Sequence, residues 1–177
     1  MIERFDSARL RMRPTVVDDA EALHQAYSDA ALMTYWSSAP KATLDETRAY
    51  LERGPTAGDW RGWTMIRQAD DAIIGTLAAN EYRPGVIEIG YLVIRRHWGE
   101  GYAREGVSRL IDIAFDQGAR RVCADTDPDN EGSNGLLKRL GFTCEGRLRD
   151  EWETHIGVRD SFIWGLLRTE WPTNRST

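Results

Sequence analysis

The fold is decided by the stretch Arg96-His97-Trp98-Gly99-Glu100-Gly101-Tyr102-Ala103, in which two glycines separate a strand pattern from a helix pattern. Residues 86–94, just before it, are rich in β-branched and aromatic side chains, which favours a buried strand. After it, apolar residues recur at helical spacing up to Phe115, and Gly118 follows as a stop signal. The stretch is therefore predicted to be a glycine turn between a strand and a helix.

This turn has the properties of an anion-binding site. A helix N-terminus leaves backbone N–H groups unpaired and carries the positive end of the helix dipole. Glycines allow a phosphate to approach those N–H groups closely. Arg95, Arg96 and Arg104 add positive charge around the same turn. These features together predict a cradle for a phosphate, and a diphosphate fits them best.

The glycine spacing narrows the choice of ligand. Gly99, Gly101 and Gly106 do not form G-x-G-x-x-G, and the P-loop pattern G-x-x-x-x-G-K-[ST] is absent from the sequence. The pattern that remains is R-x-x-G-x-G followed by Tyr-Ala. It resembles the pyrophosphate loop of the Gcn5-related N-acetyltransferase (GNAT) superfamily, which binds acetyl-coenzyme A. Taken alone, the motif is also compatible with a plain connection between a strand and a helix.

A second motif lies downstream, where Asn130-x-x-Ser133 is followed by Leu-Leu-Lys-Arg-Leu-Gly-Phe at residues 136–142. It resembles the region of the same superfamily that holds the pantetheine arm and the thiol end of coenzyme A. Both motifs in this order identify the chain as a member. The segments at 7–14, 145–149 and 159–160 resemble the RimJ/RimL-like branch, so the resemblance covers nearly the whole chain.

The patterns and the resemblance agree on an α/β fold with a mixed sheet. Strand patterns at 62–67, 73–82 and 86–94 are joined by short turns and predict an antiparallel meander. The strand pattern at 121–125 follows the long helix and is expected to lie parallel to residues 86–94. The resemblance implies a GNAT fold, in which this parallel strand pair splays apart between flanking helices and acetyl-CoA is wedged in the gap. We expect residues 1–177 to form a single N-acetyltransferase domain.

Composition restricts the partners. A formal net charge of −5 and a sequence pI near 5.3 argue against nucleic acid. No apolar run approaches the roughly 20 residues of a membrane span, and the N-terminus has no signal-peptide core, so a cytoplasmic location is expected. The histidines show no ligand spacing, and no metal is expected. Cys123 and Cys144 each suit a buried small apolar site, and a homodimer is an allowed assembly.

The resemblance implies which residues bind the co-substrate acetyl-CoA. Backbone N–H groups of the strand before the turn would bind the pantetheine arm and polarise the thioester carbonyl. Backbone N–H groups of the turn would hold the diphosphate, and Asn130 would orient the pantetheine end. The implied set is Leu92, Val93, Ile94, Arg96, His97, Trp98, Gly99, Glu100, Gly101, Tyr102, Ala103, Asn130 and Ser133.

Acetyl transfer to an amine needs a group that protonates or stabilises the departing sulfur. Many members of the superfamily use a tyrosine seven residues after the matching asparagine, but this chain has Leu137 there. In the RimL-like branch the serine that matches Ser133 has the thiol-facing role. Ser133 is therefore the candidate acid or hydrogen-bond donor, and a helix N-cap without a catalytic role is the alternative.

The base is the second catalytic question. Glu88 lies on the strand that leads into the turn, where other members of the superfamily often place a carboxylate that accepts the amine proton. Glu151 and Glu153 lie near the position of a carboxylate proposed in RimL-like enzymes, but Trp152 occupies the matching place itself. Glu88 is the candidate base. It could instead be a solvated or ion-paired strand residue, and a free amine needs no base.

Tyr35, Trp36 and Trp152 are candidate walls of the acceptor cleft, although aromatic residues also serve as core. The sequence thus predicts an N-acetyltransferase that acts on a primary amine. The acceptor would be a protein N-terminus, such as that of a ribosomal protein, or a small amine such as an aminoglycoside, polyamine or amino acid. A non-catalytic acyl-CoA binding module is the alternative, and the glycine spacing disfavours a nucleotide-linked oxidoreductase.

Overall fold

The computed structural model describes residues 3–53 and 60–172 of the chain. These residues contain five α-helices and one sheet of eight strands. The strands are β1 Phe5–Asp6, β2 Leu10–Pro14, β3 Arg61–Arg67, β4 Ile73–Arg83, β5 Val86–Val93, β6 Arg121–Thr126, β7 Thr143–Thr154 and β8 Gly157–Leu167. The helices are α1 Ala20–Tyr27, α2 Ala30–Met33, α3 Leu44–Arg53, α4 Tyr102–Asp116 and α5 Glu131–Arg139.

The sheet has the order β1-β2-β3-β4-β5-β6-β8-β7. The first five strands form an antiparallel series, β5 and β6 are parallel, and β6, β8 and β7 are antiparallel again. The predicted mixed sheet, the meander and the parallel pair are confirmed. Strand β7 lies at one edge of the sheet, and Cys144 on it is exposed, so the prediction of a buried site was wrong for that cysteine.

Helices cover both faces of the sheet, because its strands carry apolar side chains on both sides. Helices α4 and α5 pack on one face, and α1 to α3 pack on the other. The first core includes Ile87, Ile89, Val107, Leu110, Leu137 and Trp164, and the second includes Leu23, Met33, Leu92 and Ile94. Strand β5 therefore contributes alternate side chains to both cores. Within the described ranges, none of the helices combines the length and the apolar character that a membrane span needs.

A gap opens between the two parallel strands. Their pairing is restricted to Val86, Ile87 and Glu88 opposite Arg121, Val122 and Cys123. Beyond that point, residues 89–93 of β5 and residues 124–126 of β6 continue without pairing to each other. The predicted splay is thus present, and it starts directly after Glu88 and Cys123. On the other side of β5, a Cβ atom at Gly75 would lie 2.0 Å from the carbonyl oxygen of Leu92, so only glycine permits this approach of β4.

Candidate functional site

The turn between β5 and α4 presents free backbone N–H groups at the end of the gap. Gly101 is the N-cap of α4 and has φ = +81°, a left-handed conformation that glycine adopts without strain. The N–H groups of His97 and Trp98 already donate, at 2.9 and 3.0 Å, to carbonyl groups of the preceding 3₁₀ turn. The N–H groups of residues 99–104 have no acceptor among the described residues. The amides of residues 99–104 are therefore the candidate donors to a diphosphate, whereas those of His97 and Trp98, which the resemblance also implies, already have acceptors.

An N-terminal arginine, Arg9, braces this turn. Its two terminal guanidinium nitrogens each lie 3.2 Å from the carbonyl oxygen of Glu100, and its Nε donates to Glu105 at 2.6 Å. Its guanidinium carbon also lies 4.5 Å from the centre of the Tyr102 ring. Glu105 is an acid in the first turn of α4, and Arg9 offsets the charge that would repel a phosphate there. No local motif indicated this role for Arg9.

The three arginines near the turn have different roles. Arg95 forms two hydrogen bonds with Asp29, at 2.6 and 2.7 Å, and this pairing holds the pKa of Asp29 at about 2. Arg96 donates to Gln25 at 2.6 Å. These two side chains tie the turn to α1 and α2. Arg104 is exposed and has no ion pair with any described residue, so its charge is available to a phosphate.

The predicted residues Leu92 and Val93 at the end of β5, and Ile94 directly after it, do not direct their backbone groups the same way. The N–H group of Ile94 donates to the carbonyl oxygen of Ile74 on β4, at 2.9 Å. Because main-chain groups alternate along a strand, Leu92 also faces β4, and Val93 faces the gap. The carbonyl oxygen of Val93 accepts a hydrogen bond of 2.7 Å from Nε1 of Trp98, whose side chain is 52% exposed. Among the three, Val93 therefore offers its N–H group to a ligand in the gap.

Asn130 and Ser133 lie at the start of α5. Oδ1 of Asn130 accepts a hydrogen bond from the N–H group of Ser133 at 3.1 Å, so Asn130 is the N-cap and the N-cap interpretation of Ser133 is wrong. Leu137, at the position of the missing tyrosine, is fully buried in the core.

A tyrosine from β5 contacts Ser133 instead. Oη of Tyr91 lies 2.5 Å from Oγ of Ser133. Burial raises the pKa of Tyr91 to about 12, so the phenol is neutral and can donate its proton to Ser133. The hydroxyl proton of Ser133 then remains available to a further acceptor. No local sequence signal indicates Tyr91, because its contact joins residues separated by 42 positions.

Glu88 lies where the gap begins, on the face that is covered by α1 to α3. It is half-buried, it is opposite Asn80 on β4, and it is opposite Cys123 on β6. Burial raises its pKa, and the nearby charge of Asp125 raises it further. Its carboxylate has no ion pair or hydrogen bond with any described residue, so the ion-paired interpretation does not hold.

Trp152 lies on the same side of the sheet. Its Nε1 donates to Oδ2 of Asp125 at 2.6 Å, and Oγ of Ser161 donates to the same oxygen at 3.2 Å. The indole of Trp152 is 46% exposed, which suits a cleft wall better than a core position. Glu151 and Glu153 are exposed, and the pairing of β7 with β8 is irregular up to Trp152.

The other two residues predicted to line the acceptor cleft differ in their burial. Tyr35 is exposed, whereas Trp36 packs against the core between the sheet and α1 to α3. A further aromatic residue, Trp60, precedes β3 and was not predicted from the sequence. One atom of its ring would lie 3.9 Å from a Cβ atom placed on Gly90. Trp60 therefore covers β5 between Glu88 and Leu92. Only the register of the sheet reveals this position.

The site contains no arrangement of metal ligands. Among residues 3–53 and 60–172, no group of three or more histidine, cysteine, aspartate or glutamate side chains is placed to hold a metal ion. His97 in the turn is buried, and burial together with the charge of Arg96 lowers its pKa, so it is neutral at pH 7.

A splayed parallel strand pair, with free amides at a helix N-terminus beside it, defines the class of acetyl-CoA-dependent acetyltransferases. Residues 9–143 match the family described as acetyltransferase (GNAT) domain. The chain is 31% identical to the uncharacterised N-acetyltransferase p20 of Bacillus licheniformis over 176 residues, which cover 96% of this chain and 99% of p20. The chain therefore belongs to the GNAT family and is an acetyl-CoA-dependent N-acetyltransferase.

Solved structures agree with this assignment. A GCN5-related N-acetyltransferase from Brucella melitensis superposes with a TM-score of 0.86 at 25% identity, covering 96% of this chain and 80% of that one. RimL, a ribosomal L7/L12 α-N-protein acetyltransferase in complex with coenzyme A, superposes with a TM-score of 0.76 at 22% identity, covering 93% and 98%. The second likeness supports the fold alone.

Proposed function

We propose that the chain transfers the acetyl group of acetyl-CoA to a primary amine that enters the gap from the face covered by α1 to α3. The observation that carries the proposal is the position of the gap. Free main-chain amides and the hydroxyl of Ser133 lie toward one face, and the half-buried carboxylate of Glu88 lies toward the other. Donor and acceptor can therefore meet between the two strands.

The donor side is built mainly from main-chain groups. The amides of residues 99–104 and the guanidinium of Arg104 would hold the diphosphate, and the N–H group of Val93 would bind in the gap. Asn130 uses its Oδ1 to cap α5, which leaves its amide nitrogen to orient the pantetheine arm. Bound acetyl-CoA supplies an acyl thioester, which is an activated acetyl group with a thiol leaving group.

Ser133 would donate a hydrogen bond to the departing sulfur. Tyr91 would act through Ser133, because a neutral phenol that donates to Oγ leaves the serine proton free to turn toward the gap. Tyr91 is thus a positioning residue. A hydrogen bond to a sulfur that gains negative charge is stronger in the transition state than before, and this difference accelerates the reaction.

Glu88 would accept the proton that the acceptor ammonium group must lose before it attacks, directly or through one water. Burial raises the pKa of Glu88, which makes its carboxylate a stronger base than an exposed glutamate. The neutral amine nitrogen forms the new bond to the acetyl carbon, and the carbon–sulfur bond breaks. The nitrogen then loses its second proton, which goes to the sulfur, so coenzyme A leaves as the thiol.

The RimJ/RimL-like branch is supported by the contacts of Arg9 with the turn and of Arg159 with Asp127 at 2.7 Å, since both arginines lie in segments that resemble that branch. A protein N-terminus and a small amine remain the two acceptor classes. The cytoplasmic location and the homodimer stay predictions from the sequence.

The test measures the release of free thiol from acetyl-CoA with a panel of amines and N-terminal peptides. Turnover with at least one primary amine, and loss of turnover in Glu88→Gln with unchanged affinity for coenzyme A by calorimetry, is the expected result. Binding of coenzyme A without turnover of any amine would instead favour an acyl-CoA binding module. Failure of the folded protein to bind coenzyme A would refute the site itself.

A further inference from the structure

Two carboxylates near the gap lack the arginine partners that most other partly buried carboxylates of the described residues have. Arginine side chains pair with Asp19, Asp29, Glu105, Asp127, Glu145 and Asp160. Glu88 and Asp125 have no such partner among the described residues. Asp125 accepts only from the neutral donors Trp152 and Ser161. A buried charge without a counter-charge is unfavourable, so this pair is suited to a cationic ligand.

The two carboxylates lie on the same face of the sheet, one on each of the diverging strands. Glu88 pairs with Cys123, and Asp125 follows two residues later on β6. Two residues advance a strand by about 7 Å. The carboxylates are therefore staggered along the gap, close enough for the charge of Asp125 to influence Glu88.

A third polar group faces the same space. Asn80 is directly opposite Glu88 on β4, so the two side chains share one face. It is only 7% exposed, yet its amide has no hydrogen bond with a described residue. A side-chain amide that is nearly buried and has no protein partner is available to a polar ligand, and this observation is independent of the two carboxylates.

We propose that the acceptor of this chain is a short aliphatic amine with a second cationic nitrogen, one nitrogen lying at Glu88 for acetylation and the other bound by Asp125. Asn80 accepts a hydrogen bond from the first nitrogen through its side-chain oxygen. The indoles of Trp60 and Trp152 flank the two ends of the ligand and provide faces for an alkylammonium chain. This inference rests on the proposed function and specifies its substrate class.

The site favours an acceptor with a second cationic nitrogen, because a monoamine would leave the negative charge of Asp125 without a counter-charge. An amine that ends in a methyl group would place that methyl beside a carboxylate and leave the carboxylate unpaired. The stagger of about 7 Å between the two carboxylates favours amines whose nitrogens are separated by a few methylene groups. The site is therefore expected to select the acceptor by both its charge and its length.

The experiment compares putrescine with n-pentylamine, which has the same chain length and a methyl group in place of the second nitrogen. For the unmodified protein we expect kcat/KM to be about 10- to 100-fold higher for putrescine, the factor expected for one charge-assisted hydrogen bond. Asp125→Asn should reduce this ratio to within a few-fold of one. Asp125→Glu, which restores the charge, should recover part of it.

The matched control is Asp116→Asn, which makes the same chemical change on an exposed residue at the far end of α4. It should leave the ratio unchanged. Thermal melting of each variant establishes that it is folded, and the ratio in the unmodified protein tests the inference even if one variant does not fold.

Equal use of both amines, a preference that survives Asp125→Asn, or a higher kcat/KM with an N-terminal peptide than with putrescine would each overturn the inference. In these cases turnover still occurs, so the proposed acetyl transfer stands. Bound coenzyme A with no turnover of any acceptor is a different result, and it would overturn the proposed function instead.

Discussion

Removing the hydroxyl groups of Ser133 and Tyr91, singly and together, tests the arrangement at the thiol end. Their oxygens are 2.5 Å apart, so loss of the Tyr91 hydroxyl changes the hydrogen bonding of Ser133 directly. If Tyr91 acts only by orienting Ser133, the double variant should be no slower than Ser133→Ala alone. This non-additivity is the signature of two residues that act as one unit.

The magnitudes follow from the kinds of hydrogen bond involved. Ser133→Ala removes a bond to a sulfur that becomes charged, which contributes about 1.5 to 3 kcal/mol, so kcat should fall about 10- to 100-fold. Tyr91→Phe removes a bond between two neutral hydroxyl groups, which contributes about 1 kcal/mol, so kcat should fall about five-fold.

The assay is steady-state thiol release at saturating amine, combined with calorimetric titration of coenzyme A. We expect the changes in kcat, whereas the affinity for coenzyme A should change little because the diphosphate cradle is untouched. Tyr82→Phe is the matched control, since Tyr82 lies on β4 and is 50% exposed. It should leave both quantities unchanged.

Two results would refute this reasoning. An unchanged kcat in Ser133→Ala would mean that the serine has no role at the leaving sulfur. A double variant whose losses in kcat multiply would mean that Tyr91 acts independently of Ser133, and the positioning role would then be wrong.

Three other predictions concern the cradle, the base and the core. Gly101→Val forces a β-branched residue into a left-handed conformation, at a cost of about 1 to 3 kcal/mol, and obstructs the phosphate. Coenzyme A should therefore bind at least about 10-fold more weakly by calorimetry. The control Gly146→Ala, where a Cβ atom meets open space, should leave the affinity for coenzyme A unchanged. In the unmodified protein kcat/KM should rise with pH as Glu88 ionises, through a pKa above the usual range of a carboxyl group. Glu88→Gln should remove this rise and lower kcat/KM about 100-fold or more. A rise with pH that persists in Glu88→Gln would exclude Glu88 as the base. Asp19 is 2% exposed, and although burial raises its pKa, the hydrogen bonds of Arg13 lower it overall, so its contribution to stability is present above pH ~4 and is lost as the pH falls through the lowered value. Asp19→Asn should reduce the free energy of unfolding at neutral pH by about 3 kcal/mol in denaturant titrations. If the loss of stability at acidic pH is the same in Asp19→Asn as in the unmodified protein, this prediction is wrong.

Local patterns were sufficient to predict the elements around the turn. The strand predicted at residues 86–94 is β5 Val86–Val93, and the helix predicted after Gly101 is α4 Tyr102–Asp116. Both follow from side-chain periodicity and from glycines, which act within a few residues. The direction of each amide on β5 was not accessible in this way, because it depends on which groups β4 has already bonded.

The side chains of the candidate site depend on long-range pairing. Tyr91 meets Ser133 only because β5 and α5 pack together, and Asn80 meets Glu88 only through the register of β4 with β5. A one-residue slip in that register would turn one of the two side chains to the opposite face. Sequence patterns predict that a strand exists far better than they predict its register, so these neighbours were missed.

Charge pairing also depends on contacts between residues far apart in the sequence, and it determines where the acceptor cation can bind. In the sequence, Glu88 and Asp125 are indistinguishable from Glu105, whose partner Arg9 is 96 positions away. Only the folded chain reveals that Glu105 is neutralised and that the two carboxylates at the gap are not. A net charge of −5 alone would attract cations without directing them to one place. Most other partly buried acids of the described residues are paired with arginines, whereas two unpaired carboxylates lie where the two parallel strands separate, and a cationic acceptor is directed there.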